Sequence, residues 1–110
     1  MSFADASSIA PVSQSRWRAE IPEGWQQGRG AFGGLVLGVL CRAMEAAEPE
    51  RATRTLTGDL CGPVLPGAAE IEVVELRRGS NQTNLRATLT QQGAVLATAT
   101  AVLSKPRAVT

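Results

Sequence analysis

The sequence predicts an α+β domain in which an antiparallel five-stranded sheet wraps around one long central helix. Three observations predict it. The stretch from Phe32 to about Glu48 is apolar on every side over its first two turns and amphipathic over its last two. The segments after it alternate with the two-residue period of strands, and Gly, Pro, Asn and Gln punctuate them at hairpin spacing. A helix that is apolar all round must be buried all round, and this one, closed by Pro49, is too short to span a bilayer, so the strands must cover it.

Taken in order, residues 1–14 are small and polar without a sustained period, and read as a flexible arm ahead of a single domain over 15–104. Ser15–Ile21 alternates Trp17, Ala19 and Ile21 with Arg16, Arg18 and Glu20, and Pro22 closes this first strand. Gly24, Gly28 and Gly30 mark a loop, and Gly33-Gly34 opens the helix. Arg51–Cys61 alternates Thr53, Thr55, Thr57 and Asp59 against Arg54, Leu56, Gly58 and Leu60. Gly62-Pro63 and Pro66-Gly67 break the chain before a strand over Ala69–Arg78, which Gly79-Ser80-Asn81 turns into Thr83–Gln91. Gln92-Gly93 predicts a tight hairpin into Ala94–Leu103, and residues 105–110 form a polar tail.

Composition excludes several function classes. Net charge is +1, Tyr is absent, and Trp17, Trp25, Phe3 and Phe32 are the only aromatic rings besides, so the basic stripe with stacking rings that nucleic acid requires is missing. No run of apolar residues is long enough for a membrane span, and the N-terminus lacks a basic region followed by an apolar one. Cys41 and Cys61 have no CxxC spacing and read as free thiols, which fits a cytoplasmic chain. The chain has no His, which removes Ser-His-Asp and Cys-His catalysis and argues against a zinc site, so no metal is expected. Chemistry here must run on carboxylates, amides, hydroxyls, backbone N–H groups and water.

Three anchors carry a family resemblance: Phe32-Gly33-Gly34 opening the helix, Asp59-Leu60-Cys61-Gly62-Pro63 through Gly67, and Leu76-Arg77-Arg78-Gly79-Ser80. In this order and spacing, over about residues 16 to 104, the chain resembles the hotdog thioesterase superfamily, and within it the amino-terminal hotdog of acyl-CoA thioesterase II-like, double-hotdog proteins. The resemblance implies binding of an acyl-CoA or related acyl thioester and its hydrolysis to free acid and CoA, without metal or organic cofactor. It also implies a homodimer, or pairing with a second hotdog module, with sites between the modules.

The candidate site follows from residue chemistry and from that resemblance. Gly33 and Gly34 stand where unpaired N–H groups at a helix start can hold a developing oxyanion, or they simply let the helix pass close to the sheet. Asp59 is either the carboxylate that activates water or a solvated strand residue, and Thr53 either orients a water or is only a strand former. No acid stands two turns beyond Gly33-Gly34, where many single-hotdog enzymes carry one; the stretch is Leu40-Cys41-Arg42, and the next acid is Glu45. In the double-hotdog relatives a glutamine on the last strand assists, and that position falls near Ala101. Cys41, mid-helix on an apolar face, is expected to stay an inert thiol. Phe32 and Trp25 are expected to border the acyl pocket or pack in the core. Arg77, Arg78 and Gly79, with Asn81 and Gln82, form a basic turn suited to the phosphates or pantetheine of CoA. Two readings stay open: an acyl-CoA thioesterase, or a non-catalytic hotdog half that binds acyl thioester or supports a catalytic partner. A hydratase-like hotdog is disfavoured, since those enzymes usually employ a histidine.

Overall fold

The computed structural model describes residues 2–24, 26–27, 30–31 and 33–106. A short helix α1 (Phe3–Ala6) and strand β1 (Ile9–Ser13) precede β2 (Arg16–Ile21), and a small ribbon of β3 (Gln26–Gln27) and β4 (Gly30–Ala31) leads into helix α2 (Gly33–Ala47). Four long strands follow: β5 (Ala52–Leu60), β6 (Gly67–Arg78), β7 (Gln82–Gln91) and β8 (Ala94–Ser104). The main sheet is antiparallel throughout, in the order β1-β2-β6-β7-β8-β5. It therefore has six strands, one more than the sequence suggested.

The extra strand is β1, from the segment expected to be a flexible arm. Ser2 starts it: its hydroxyl accepts the Asp5 backbone N–H at 3.2 Å and donates to the Asp5 carboxylate at 3.0 Å, a local cap that nucleates α1. Ala6 and Ser7 are buried, and β1 then pairs with β2 through backbone groups, which need no apolar pattern. Pro11 and a register break between Pro11 and Ser13 interrupt that edge.

Helix α2 packs against one face of the sheet. Its Val36, Val39, Leu40, Ala43 and Met44 join Trp17, Ile21, Ile71, Leu85, Leu89 and Leu103 in one buried cluster. The helix-facing row of β8 is Ala97, Ala99, Ala101 and Leu103, and these small side chains let the helix sit close to the sheet. Gly58 on β5 goes further, because a Cβ there would collide with the Leu37 side chain. Between β7 and β8, Gln92 (φ 51°) and Gly93 (φ 80°) form the expected two-residue turn with both central residues left-handed.

Single-residue bulges on β5 and β6 decide which of their side chains face the helix. On β5, Thr53 pairs with Leu103 and Thr55 with Val102, leaving Arg54 over. On β6, Glu75 pairs with Leu85 and Arg77 with Asn84, leaving Leu76 over. An extra residue reverses the alternation beyond it.

Candidate active site

One stripe of α2 runs along β5, with contacts at Gly33, Leu37, Cys41 and Glu45. These residues are four apart and so share a helix face. Gly33 abuts the Leu60 side chain, whose Cδ1 would stand 2.9 Å from a Cβ at position 33. Leu37 fills the space over Gly58. Further along, Cys41 Sγ lies 4.0 Å from Thr53 Oγ1, and Thr53 Oγ1 donates to Glu45 Oε2 at 3.3 Å. Strand and helix thus run antiparallel, and the seam between them changes from backbone and leucine at one end to hydroxyl and carboxylate at the other.

The seam is open on its outer side because β5 ends the sheet order. Leu56 and Leu60, paired with Ala101 and Ala97, lie on the helix side of β5 and are 37% and 55% exposed. Leu37 is partly buried beside them. No acidic side chain stands in the first turn of α2, so no local carboxylate offsets the positive end of the helix. Burial first, and the Glu45 carboxylate second, push the Cys41 thiol above its usual range, against the opposing Thr53 hydrogen bond and Arg42. A thiol held protonated is a poor nucleophile, as the sequence reading expected for this position.

The candidate residues fall into separate groups. Asp59 pairs with Thr98 on the face of β5 turned away from α2, while Thr53 pairs with Leu103 on the face toward it. Strict alternation had put the two on one face; the bulge at Arg54 separates them. Trp25 and Phe32 lie outside the described residues. Ala101 is buried in the core.

A bulge also decides which of the adjacent arginines faces the helix. Arg78 turns inward under the end of α2, where its Nη2 pairs with Glu48 and its Nε donates to Glu75 Oε1 at 2.9 Å. Glu48 is only 7% exposed, and the Thr83 hydroxyl also donates to it at 3.3 Å. Arg51 completes the knot, donating to Thr83 Oγ1 at 2.8 Å, to the Gly79 carbonyl at 3.1 Å and to the Ser80 carbonyl at 3.2 Å. The two carboxylates hold the Arg78 guanidinium charged even more firmly than usual, Glu48 being the stronger influence. Arg77 points to the other face with Asn84, where both border an open depression of about 420 Å³ that also takes in Gly79, Ser80, Asn81 and Gln82.

Arg77, Gly79, Thr53 and Glu45 therefore stand toward the carboxyl end of α2, and Gly33, Gly34 and Leu60 at its amino end. A helix of 15 residues separates its ends by about 20 Å at ~1.5 Å per residue. One chain does not bring both groups to a single carbonyl. The Thr53–Glu45 pair was missed at the sequence level, although the four-residue spacing from Gly33 through Leu37 and Cys41 to Glu45 was there to be read. Among the described residues no three His, Cys, Asp or Glu side chains converge as a metal site, and no helix is long and apolar enough to cross a membrane.

A family model described as the acyl-CoA thioesterase N-terminal domain matches residues 21–104. Among solved structures the chain is similar to a candidate thioesterase II from Thermobifida fusca YX, at 28% identity and a TM-score of 0.89, over 96% of this chain and 39% of that one. It is similar to a conserved protein of unknown function with a hot dog fold from Alicyclobacillus acidocaldarius, at 26% identity and a TM-score of 0.85, over 97% and 40% of the two chains. A Streptococcus mutans UA159 protein bound to acetyl CoA shares the fold, at 15% identity and a TM-score of 0.80, over 88% and 87%. No curated protein matches the sequence. The chain spans about two-fifths of the Thermobifida and Alicyclobacillus proteins.

Proposed function

Because the chain belongs to the acyl-CoA thioesterase N-terminal domain family and has its hotdog fold, we propose that it binds an acyl-CoA thioester and takes part in its hydrolysis as one of two modules joined along β5. The observation that carries this reading is the open seam between α2 and β5, apolar along Leu37, Leu56 and Leu60 and ending at the glycine-marked start of the helix. A thioester fits such a trough: the acyl chain lies along the leucines, and its carbonyl oxygen accepts hydrogen bonds from backbone N–H groups at the helix start. Glycine at 33 and 34 keeps side chains out of the way of that approach.

Pairing explains the ~20 Å separation of the two residue groups. If β5 pairs with β5 of a second copy about its midpoint at Leu56, the Thr53 end of one strand meets the Leu60 end of the other. The amino end of one α2 then faces the polar end of the other seam. Arg77 and the turn after it stand toward that same end but on the outer face of the sheet, so a guanidinium there suits a phosphate of CoA only where the nucleotide reaches beyond the trough. A strand edge with exposed leucines is also one that other proteins take pains to cover.

A second reading has its own observation. The Thermobifida and Alicyclobacillus proteins are about two and a half times longer, so the pairing module for this chain can be a different hotdog, with this one as a binding half. Incubating the purified chain with medium- and long-chain acyl-CoAs and a thiol reagent tests the proposal. Release of free thiol supports the hydrolase. Saturable acyl-CoA binding without release supports the binding half, and neither binding nor release overturns both.

A further inference from the structure

We infer that the Thr53–Glu45 bridge is the end wall of the acyl trough, and that Glu45 thereby holds the acyl group to medium length. The inference rests on the reading above, in which the acyl chain lies in the seam between α2 and β5. That seam changes character along its length. From the helix start it passes Leu60 beside Gly33 and then Leu37 over Gly58. Leu56 adds apolar surface from the strand. Further on, Thr53 Oγ1 donates across to Glu45 Oε2 at 3.3 Å and stands 4.0 Å from Cys41 Sγ. Polar atoms span from helix to strand there, and the apolar floor ends.

Other acids of the chain are engaged elsewhere. Glu48 and Glu75 are bound to Arg78, and Glu70 and Glu72 pair with Arg18 and Arg16. Among the described residues no basic side chain pairs with Glu45, and its hydrogen bond from Thr53 holds it across the seam. Glu45 is exposed at the open edge, so water solvates the rest of its carboxylate. A methyl end pressed against that group displaces water without returning a hydrogen bond, which is unfavourable. Glu45 is the specificity determinant here and Thr53 a positioning residue.

The length follows from the spacing of these groups. Cys41 lies about 12 Å beyond Gly33 at ~1.5 Å per residue, and Glu45 lies one turn further. An extended alkyl chain advances about 1.3 Å per carbon, from bonds of ~1.5 Å at tetrahedral angles. An acyl group with its carbonyl at the helix start therefore meets the bridge at about ten to twelve carbons. Each methylene laid on the leucines before that point strengthens binding, by about fourfold where it is fully buried. Each one beyond it has to pass a carboxylate.

The test titrates the full chain with saturated acyl-CoAs from butanoyl- to hexadecanoyl-CoA, below their micelle concentrations, and reads Kd by calorimetry, which needs no turnover. Affinity is expected to rise with each added methylene and to stop rising at decanoyl- or dodecanoyl-CoA. Glu45→Leu continues the apolar floor and cannot accept from Thr53, so its rise should run on to hexadecanoyl-CoA. That variant should bind hexadecanoyl-CoA at least about tenfold more tightly than wild type, with butanoyl-CoA unchanged. Glu50→Leu, in the exposed turn before β5, adds the same side chain off the seam and should keep the wild-type profile. A merely structural role for Glu45 would move the melting temperature and leave the break in the profile where it is. An even climb through hexadecanoyl-CoA in the wild type, or an unmoved break in a folded Glu45→Leu chain, overturns the inference and leaves the trough standing. Acyl-CoAs that bind no better than CoA itself overturn the trough along with it.

Discussion

The Leu37 side chain occupies the volume that a side chain at position 58 would need, so Gly58 on β5 and Leu37 on α2 interlock. Gly58→Ala forces one of them to move. Overfilling a packed contact of this kind costs about 1–3 kcal/mol, read as a lowered melting temperature. Leu37→Ala in the same chain should return part of that loss, so the double-mutant cycle will show strong non-additivity. Simple additivity would mean the two do not share the space.

Asp59 and Thr53 should separate in activity as they do in position. With Asp59 on the face away from α2, Asp59→Asn is expected to keep acyl-CoA hydrolysis within about threefold, a barrier change of well under the 1.36 kcal/mol that a tenfold effect represents. Thr53→Val, which removes the hydroxyl from the seam, should lower kcat by roughly tenfold while leaving the melting temperature near wild type. The opposite ranking would restore Asp59 as the acid.

Arg77 and Arg78 adjoin in sequence and should fail differently. Arg77→Ala is expected to leave the melting temperature unchanged while raising KM for acyl-CoA and weakening its salt dependence. Arg78→Ala removes the ion-pair partner of a carboxylate that is only 7% exposed, so it should lower the melting temperature. Glu48→Ala leaves the Thr83 and Arg78 donors without their acceptor and should cost about 1–3 kcal/mol.

The thiols give a pH prediction. Cys41 holds its proton more tightly in the folded chain than in the unfolded one. Its contribution to stability is therefore complete below the ordinary thiol range, about pH 8.5, and is lost as the pH rises from there through the higher folded value. Chemical denaturation at pH 8 and pH 10 should show the decline, and Cys41→Ala should flatten it. Near pH 8 the exposed Cys61 should react with an alkylating agent well before Cys41.

Much of the fold was legible in the sequence because it rests on patterns that survive without coordinates. An all-apolar helix start, two-residue alternation in Ala69–Arg78 and Thr83–Gln91, and Gln92-Gly93 each report a local requirement of the backbone. The bulges at Arg54 and Leu76 were not legible, since an extra residue leaves no mark in composition, yet it reverses every side chain beyond it. That reversal parted Asp59 from Thr53 and turned Arg78 rather than Arg77 toward the helix. Strand β1 escaped notice for another reason: it is held by backbone pairing, which leaves no apolar pattern in the sequence.

The two margins of the sheet are unequal. β1 ends it with a proline, which has no N–H to give, and with a broken register, whereas β5 offers nine residues beside exposed leucines. A chain with one serviceable border and one blunted border is a monofunctional unit in the polymer chemist's sense. If two such units meet along β5 across a two-fold axis, as proposed, neither has a growing end left, and that association would cap its own propagation.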